Sequence, residues 1–403
     1  MSLLAILAST TVTAPARREP SPSSGPVRNI ASRCEAASLG MTPANRDGQT
    51  ATTKHVASVD ATSVTLTWEV ARSYGPDAGG TFSGIISVAD QSLPITIGGK
   101  SSWRVEVPTA STTYVSDPLD LKILAGDDIT ISITVDADGA TGGVSSSYSG
   151  PEAAAWNGWA WRPARITAPS NIPAWVCVGD SIAQQARSFP GIGCDLAGLP
   201  YTVTAMGGDA YVYYPERFAG KVGPHLAAHS RMLDQFGINS ASTTENEKKY
   251  ALRYWKTARD NGITDHVKTT ITPAASSSDK YATVENQTPA RQPYIAEFNT
   301  WLRDGAPLSA DLTVPLAAGT TDPGAVRARY VRPDGTIVPA SGPAKHLLSG
   351  ITDCAHVIES SPGSGKFIPG YPIEAYNDGT HLGRQFHQML GERIARDLDL
   401  MGY

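Results

Sequence analysis

Three side chains in this sequence have the types and spacing needed for nucleophilic catalysis. Ser181 follows Gly179-Asp180 directly after an apolar run, and Asp378 and His381 lie three residues apart near the end of the chain. A serine hydroxyl is a poor nucleophile at neutral pH and needs a base to take its proton. Because Asp378 lies three residues before His381, its carboxylate can reach the imidazole and fix its tautomer. The pattern predicts a Ser-His-Asp triad.

Two further turns carry groups that could stabilise the oxyanion formed when a serine attacks an ester. Gly207 and Gly208 follow one apolar run, and a glycine N–H can approach a substrate without a side chain in the way. Asn239 follows the next apolar run, and its side-chain amide can donate a hydrogen bond. The nucleophile, the glycines and the Asn therefore occur in one chain order, before the Asp and the His.

These turns follow the short apolar runs of a predicted α/β unit. The strand candidates are residues 174–178, 201–205, 232–236, 266–272 and 356–359. The clearest helix begins with a capping box, Ser242-Thr243-Thr244-Glu245, and stops at Asn261-Gly262. The last helix is predicted over residues 384–398, with an apolar face formed by Phe386, Leu390, Ile394 and Leu398. Alternating strands and helices indicate a parallel sheet covered on both sides, with functional residues at the carboxyl ends of its strands.

The first 165 residues have a different pattern. Residues 1–50 are rich in Pro, Ser and Gly and are predicted to form an N-terminal arm or linker. Runs with β-type character follow at residues 63–70, 84–88, 103–107 and 129–135. Several short strands separated by turns predict an all-β sandwich, with a jelly-roll-like arrangement, over residues 51–165. Trp156, Trp159 and Trp161 lie in the stretch 151–172, which is interpreted as the junction between the two parts, where they could pack between domains or stack on sugar rings.

The blocks from residue 171 to residue 403 resemble the SGNH (GDSL-type) family of serine ester hydrolases. The first block is matched by Gly179-Asp180-Ser181-Ile182, the second by Gly207-Gly208-Asp209, the third by Gly237-Ile238-Asn239-Ser240 and the fifth by Asp378-Gly379-Thr380-His381. The resemblance implies a flavodoxin-like three-layer α/β/α hydrolase domain with a parallel sheet.

The resemblance also implies a role for each matched residue. Ser181, His381 and Asp378 would be catalytic. The oxyanion donors would be the Ser181 N–H, the Gly208 N–H and the Asn239 amide. Gly208 is chosen as the glycine donor because a Gly-Asp pair follows the family pattern.

The function implied by the resemblance is that of a serine esterase that needs no metal or organic cofactor. An O-acetylated carbohydrate is the expected substrate, by analogy, because a β-sandwich beside such a domain often holds a glycan. Two alternatives stay open. One is a lipase or thioesterase of the same family, and the other is a surface or virion binding protein that keeps the hydrolase domain as a scaffold. Ser240, where the family usually has Asp, keeps the second alternative open.

Composition excludes some other functions. A formal net charge of −5 and a pI of about 5.9 offer no basic surface for nucleic acid. No apolar run approaches the ~20 residues that a membrane-spanning helix needs, which predicts a soluble protein. No Lys or Arg precedes the short apolar stretch at the start, so no clear signal peptide is expected. The compartment stays open, and extracellular or virion-associated action is among the possibilities. The oligomeric state and a bridge between Cys177 and Cys194 are also open.

Three other motifs favour ordinary structure. His225 and His229 have the spacing of zinc ligands on a helix, but no Glu follows His225, so a plain helix face is favoured. Gly363-Ser364-Gly365-Lys366 lacks the earlier glycine of a phosphate loop. The turns at Asp127-Asp128 and Asp136-Ala137-Asp138-Gly139 could bind calcium, although solvated turns are favoured.

Overall fold

The computed structural model describes residues 18–21, 23–36, 48–70, 78–107, 112–136, 146–147, 159–160, 162–184, 188–214, 216–239 and 243–403. The strands of this described part are β1 (Val27–Asn29), β2 (Cys34–Glu35), β3 (Thr50–Val56), β4 (Ala61–Val70), β5 (Ala78–Val88), β6 (Gln91–Ile95), β7 (Ser102–Val107), β8 (Thr112–Val115), β9 (Leu119–Ile123), β10 (Asp128–Asp136), β11 (Ser146–Ser147), β12 (Trp159–Ala160), β13 (Arg165–Pro169), β14 (Trp175–Val178), β15 (Tyr201–Val203), β16 (Arg231–Asp234), β17 (Asp265–Thr269), β18 (Ala275–Ser277), β19 (Gln287–Pro289), β20 (Tyr330–Val331), β21 (Ile337–Val338) and β22 (Gly350–Thr352). Its α-helices are α1 (Phe189–Leu196), α2 (Phe218–Lys221), α3 (Gly223–Leu226), α4 (Thr244–Asp260), α5 (Tyr294–Arg303), α6 (Ala355–Ile358), α7 (Ile373–Tyr376) and α8 (Arg384–Leu400).

Two five-stranded antiparallel sheets occupy most of the first 169 residues. One has the order β1-β13-β4-β8, with β9 also paired to β4, and the other has the order β3-β10-β5-β6, with β7 also paired to β5. Side chains alternate between the two faces of a strand, and in β10 Ile129, Ile131 and Ile133 are buried while their neighbours are more exposed. Both sheets contribute to one hydrophobic core, for example through Leu66 of β4 and Ile86 of β5. The four predicted strands lie within β4, β5, β7 and β10.

Part of the predicted N-terminal arm is packed into sheets. β1 pairs antiparallel with β13, and β2 pairs parallel with β15, so residues 27–36 contribute to two different sheets. Ile30, Ala31 and Cys34 have no exposed surface. The prediction of an arm is therefore wrong for residues 27–36. It was based on the average composition of the first fifty residues, in which a packed segment this short has little weight.

An eight-stranded sheet forms the centre of the C-terminal part, in the order β2-β15-β14-β16-β17-β22-β20-β21. Every neighbouring pair is parallel except β20 with β21. Helices α1 and α8 contact each other closely because both have a glycine at the crossing. A Cβ on Gly193 would lie 2.4 Å from Ile394 Cγ2, and a Cβ on Gly391 would lie 2.4 Å from Ile192 Cγ2. The α/β class of this part agrees with the prediction.

The predicted helices are present, with one shift at a helix start. Helix α8 buries Phe386, Leu390, Ile394 and Leu398, the apolar face predicted for it. Helix α4 begins one residue later than the capping box implied, because Thr243 is the N-cap and its hydroxyl accepts from the Asn246 N–H at 3.4 Å. Ser242 lies outside the described residues.

One strand prediction is wrong. Residues 356–359 belong largely to helix α6, and the strand of this region is β22, at Gly350–Thr352. The Asp353 carboxylate accepts from the His356 N–H at 3.3 Å and so supports the start of the helix. A short apolar run has no periodicity that separates a buried strand from a buried helical turn, which explains the error.

Two smaller points concern the cysteines and the membrane. Cys177 and Cys194 are free thiols, and their sulfurs lie 3.9 Å apart, well beyond the length of a disulfide bond. Among the helices of the described residues, none combines the length and the apolar character needed to cross a bilayer.

Candidate active site

Ser181 lies in a tight turn at the carboxyl end of β14. The turn begins at Gly179, where a Cβ would lie 2.4 Å from Gln235 Oε1 and 2.8 Å from the Ala183 side chain. A residue without a side chain is therefore required for Gln235, which follows β16, to approach this closely. Gln235 Oε1 accepts from the Asp180 N–H at 3.1 Å. This contact joins the turn that carries Ser181 to the end of the neighbouring strand.

Asp180, the residue before Ser181, is fully buried. Its carboxylate accepts from the Ile182 N–H at 3.0 Å and from Gln235 Nε2 at 3.4 Å. Burial raises the pKa of the Asp180 carboxyl to about 6, although these two donors and the charge of Lys268 act in the opposite direction. The carboxyl group therefore supports the turn from the protein interior.

The structure brings Ser181, His381 and Asp378 together. Ser181 Oγ lies 2.8 Å from His381 Nε2, and His381 Nδ1 lies 2.7 Å from Asp378 Oδ2. The other carboxylate oxygen of Asp378 accepts from the backbone N–H groups of Thr380 at 2.9 Å and His381 at 2.7 Å. Partial burial acts to raise the pKa of Asp378, but the hydrogen bonds from His381 and from these N–H groups outweigh it and lower the pKa. Asp378 is thus held as a carboxylate against the imidazole.

Gly379 allows this turn to form. It has a φ of +80°, and a Cβ at this position would lie 2.1 Å from Ala275 O and 2.3 Å from the Tyr281 hydroxyl. The Ala275 N–H donates to Gly379 O at 2.9 Å, which ties the turn to β18. Both the left-handed backbone and the close approach require glycine here.

The site is open to solvent. The side chain of His381 is 45% exposed and that of Asp378 is 55% exposed. A large molecule can therefore reach the imidazole without passing through a deep channel.

The turn at Gly207 and Gly208 lies beside Ser181. A Cβ on Gly207 would lie 3.8 Å from Ser181 Cβ and 2.8 Å from Gln184 Oε1. Gly208 has a φ of +76°, and a Cβ on it would meet no atom within 4 Å. The following residue anchors the turn, because the buried Asp209 carboxylate accepts from the Tyr214 hydroxyl at 3.0 Å and from Arg217 Nη1 at 2.7 Å.

Asn239 lies beside this turn, with its amide in a defined orientation. Its Nδ2 donates to Asp209 O at 3.2 Å, and its Oδ1 accepts from Arg291 Nη1 at 3.4 Å. A guanidinium can only donate and a carbonyl can only accept, so both neighbours select the same orientation of the amide. Ser240, the departure from the third block, lies outside the described residues.

Several residues around these groups were not predicted from the sequence. Gln235, Arg291 and Arg217 contact them directly, and the charge of Lys268 acts on Asp180. Gln235 and Lys268 occur in apolar surroundings near strand ends, where polar residues give a weak signal that could have been noticed. Arg291 reaches Asn239 from a distant loop, and nothing in its local sequence indicates the contact.

The motifs set aside earlier lie away from this site. His225 Nε2 lies 2.7 Å from Glu69 Oε2, and His229 Nε2 lies 2.9 Å from Thr202 Oγ1, so both rings have partners where β4 meets the C-terminal part. Within the residues that the structure describes, no group of three or more His, Cys, Asp or Glu side chains is arranged to hold a metal ion. Trp156, Trp161 and the turn at 137–139 lie outside those residues.

Comparisons with known proteins give matches among solved structures. No protein-family model matches the chain, and no curated protein matches it. A carbohydrate esterase family 2 enzyme with a carbohydrate-binding domain, from Corynascus thermopiles, is 11% identical with a TM-score of 0.36, and the match covers 94% of this chain and 100% of that one. A GDSL-like lipase from Bacteroides thetaiotaomicron is 12% identical with a TM-score of 0.35, over 56% of this chain and 87% of that one. A lipase/acylhydrolase from Enterococcus faecalis is 13% identical with a TM-score of 0.34, over 56% and 95%. The matches thus include proteins named as the type of hydrolase that the sequence blocks resemble.

Proposed function

We propose that this chain is a serine esterase that hydrolyses carboxylic esters, with O-acetyl groups on a carbohydrate as its substrate. Its catalytic residues are Ser181, His381 and Asp378. The observation that carries the proposal is the chain of two short contacts, 2.8 Å from Ser181 Oγ to His381 Nε2 and 2.7 Å from His381 Nδ1 to Asp378. Such a chain is what a hydroxyl nucleophile needs for activation.

The proposed reaction has two halves. His381 Nε2 takes the hydroxyl proton as Ser181 Oγ attacks the ester carbonyl carbon, and Asp378 stabilises the imidazolium that forms. The oxyanion accepts hydrogen bonds from the Ser181 N–H, the Gly208 N–H and the Asn239 amide. The intermediate collapses, His381 returns the proton to the leaving alcohol, and an acyl-serine remains. Water then attacks the acyl group with His381 again as the base, which releases the acid and restores Ser181.

The proposal includes the arrangement of the whole chain. Residues 171–403 form the flavodoxin-like three-layer α/β/α hydrolase domain, residues 51–165 form a jelly-roll-like β-sandwich, and the residues before 51 lead into it. The packed segment 27–36 is the exception to this division, because β1 pairs with a strand of an antiparallel sheet and β2 pairs with a strand of the eight-stranded sheet.

The polar surroundings of Ser181 support a hydroxyl-rich substrate with a short acyl group. Gln184 lies close to the Gly207 backbone, and Arg291 contacts Asn239. Amide and guanidinium groups can hydrogen-bond to sugar hydroxyls, whereas a long acyl chain requires an extended apolar surface. The exposed imidazole likewise favours an ester carried on a bulky alcohol.

The proposal is tested with purified protein and p-nitrophenyl esters of increasing acyl length, followed by acetate release from an acetylated polysaccharide. We expect the acetyl ester to be cleaved fastest, and Ser181→Ala to lose at least roughly 10³-fold in kcat. Ser341→Ala, which changes an exposed serine in another region, is the matched control and should retain activity. Lack of ester cleavage by the wild type, or full activity in Ser181→Ala, would contradict the proposal. Preference for long acyl chains would indicate a lipase instead.

A further inference from the structure

Lys268 is a lysine of the central sheet with no exposed surface. It lies in β17, and its side chain is fully buried. Burying an ammonium is costly unless the charge is paired and its hydrogens are used, so a buried lysine needs an explanation from its surroundings. Burial lowers the pKa of Lys268, and the charge of Asp234 opposes that change.

The partner that balances the charge is Asp234, at the end of β16. Lys268 Nζ lies 3.7 Å from Asp234 Oδ1. The other carboxylate oxygen accepts from the Tyr211 hydroxyl at 2.6 Å and from Trp255 Nε1 at 3.1 Å. This carboxylate thus accepts hydrogen bonds from several groups besides Lys268. The ammonium carries three N–H groups, so it can also donate to other acceptors.

The shorter contacts of Lys268 are with backbone carbonyls. Its Nζ donates to Phe236 O at 2.7 Å and to Asp234 O at 3.3 Å. These carbonyls belong to the segment that runs from the end of β16 to Asn239. Asp234 is the last residue of β16, whereas Phe236 lies beyond the end of the strand, in the stretch that leads to Asn239.

A second side chain holds the next carbonyl of the same segment. The Tyr294 hydroxyl, from α5, donates to Gly237 O at 2.9 Å. Gly237 has a φ of +139°, and a Cβ on it would lie 2.6 Å from Ile271 Cδ1, so the backbone is also confined by packing. Lys268 and Tyr294 thus bind consecutive carbonyls. Lys268 binds that of Phe236, three residues before Asn239, and Tyr294 binds that of Gly237, two residues before it.

We infer that Lys268 and Tyr294 are positioning residues for the oxyanion donor: their side chains hold the carbonyls of Phe236 and Gly237 and thereby place the Asn239 amide. The inference rests on the proposed esterase function. Neither side chain touches the ester, and both act through the backbone. Since Asn239 meets full charge only after attack, their loss should lower kcat and leave KM nearly unchanged.

A double-mutant cycle on p-nitrophenyl acetate tests the inference. Asn239→Ala should lower kcat by about 10²–10³-fold, and Lys268→Met should lower it by about 10- to 100-fold, as expected for a misplaced group. If Lys268 acts through Asn239, the double variant should lose no more than about twofold beyond Asn239→Ala alone. A double variant that loses the product of the two single effects would overturn the inference.

Arg393→Met is the matched control for lost stability. Arg393 is also a buried cation, and it donates to the carbonyls of Val331 and Arg332 and pairs with Asp397 on α8. Its loss should lower the melting temperature, as the loss of Lys268 does, but should leave kcat unchanged. An equal fall of kcat in Arg393→Met would show that destabilisation alone explains the effect of Lys268→Met.

Tyr294→Phe keeps the test decisive if Lys268→Met does not fold. It removes one hydroxyl, should lower kcat severalfold, and should have little further effect when combined with Asn239→Ala. An unchanged kcat in Tyr294→Phe would refute the role of Tyr294. If Lys268→Met also fails to fold, that result would refute the inference as a whole. A wild type without esterase activity would refute the proposed function and this inference with it, whereas an active wild type with additive losses refutes the inference alone.

Discussion

Replacing Asp180 by Asn should change how the stability of the protein depends on pH. In the folded protein, burial raises the pKa of this carboxyl from 3.8 to about 6. Between these two values the unfolded chain has released the proton and the folded protein has kept it. The free energy of unfolding of the wild type therefore decreases, through this group, as pH rises from about 4 to about 6. Asn has a similar shape and carries no titrating group.

The size of the effect follows from the two pKa values. With about 1.36 kcal/mol for each unit of pKa difference, the Asp180 contribution changes by about 2 kcal/mol between about pH 4.5 and about pH 7.5. The melting temperature of Asp180→Asn minus that of the wild type should therefore become more positive by about 4–8 °C over this interval. Any constant cost of packing the Asn side chain cancels in this comparison.

Differential scanning calorimetry at the two pH values measures this difference. Ile182→Val is the control, because it shortens a neighbouring buried side chain and keeps the backbone N–H that donates to Asp180, and its shift in melting temperature should be the same at both pH values. If the Asp180→Asn shift is also the same at both, Asp180 does not titrate between them, and the argument from its burial is wrong.

Three other predictions concern the proposed chemistry and His387, a partly exposed histidine of α8. Asn239→Ala should lower kcat by about 10²–10³-fold with KM little changed. It should slow capture by a fluorophosphonate probe, whereas Ser181→Ala should abolish capture. A kcat equal to that of the wild type in Asn239→Ala would exclude Asn239 as a donor. The kcat/KM of the wild type should fall toward low pH, because a general base acts in its unprotonated form, and a flat profile from about pH 5 to about pH 8 with chemistry rate-limiting would contradict the role of His381 as base. Burial lowers the pKa of His387 to about 4 from 6.5, so the stability it contributes is present above about pH 6.5 and is lost as pH falls toward 4. His387→Phe should therefore lose less stability than the wild type in urea titrations between about pH 7 and about pH 4.5, by about 2.5 kcal/mol at most, and equal losses would argue against a neutral imidazole at this position.

The sequence was most informative where chemistry and backbone geometry are local. Ser181 and His381 each lie in a short glycine-containing turn, and the need for Gly179 and Gly379 can be understood within a few residues of each. Both turns adjoin elements that the apolar pattern predicted, since the first follows β14 and the second precedes α8.

Contacts between distant positions could not be read in this way. Lys268 lies in a run that has the pattern of a buried strand, and only the packing of β17 against β16 shows that its ammonium meets backbone carbonyls. Similarly, Arg291 is about fifty residues from Asn239 along the chain, and its own neighbours give no sign of the contact. Helix α6 was missed for a different reason, since one turn of helix is too short to show a period.

The two small strands β1 and β2 determine how this protein can be divided experimentally. Cys34 and Glu35 pair with Thr202 and Val203, so the β15 edge of the eight-stranded sheet is covered by residues from the N-terminal part of the chain. A fragment that starts at residue 171 would leave the β15 edge without its partner, and open strand edges promote aggregation. We therefore expect the C-terminal part, expressed alone, to be poorly behaved even though it contains the whole proposed triad. Supplying residues 27–36 as a separate peptide, or fusing them through a linker that reaches β15, should restore its solubility.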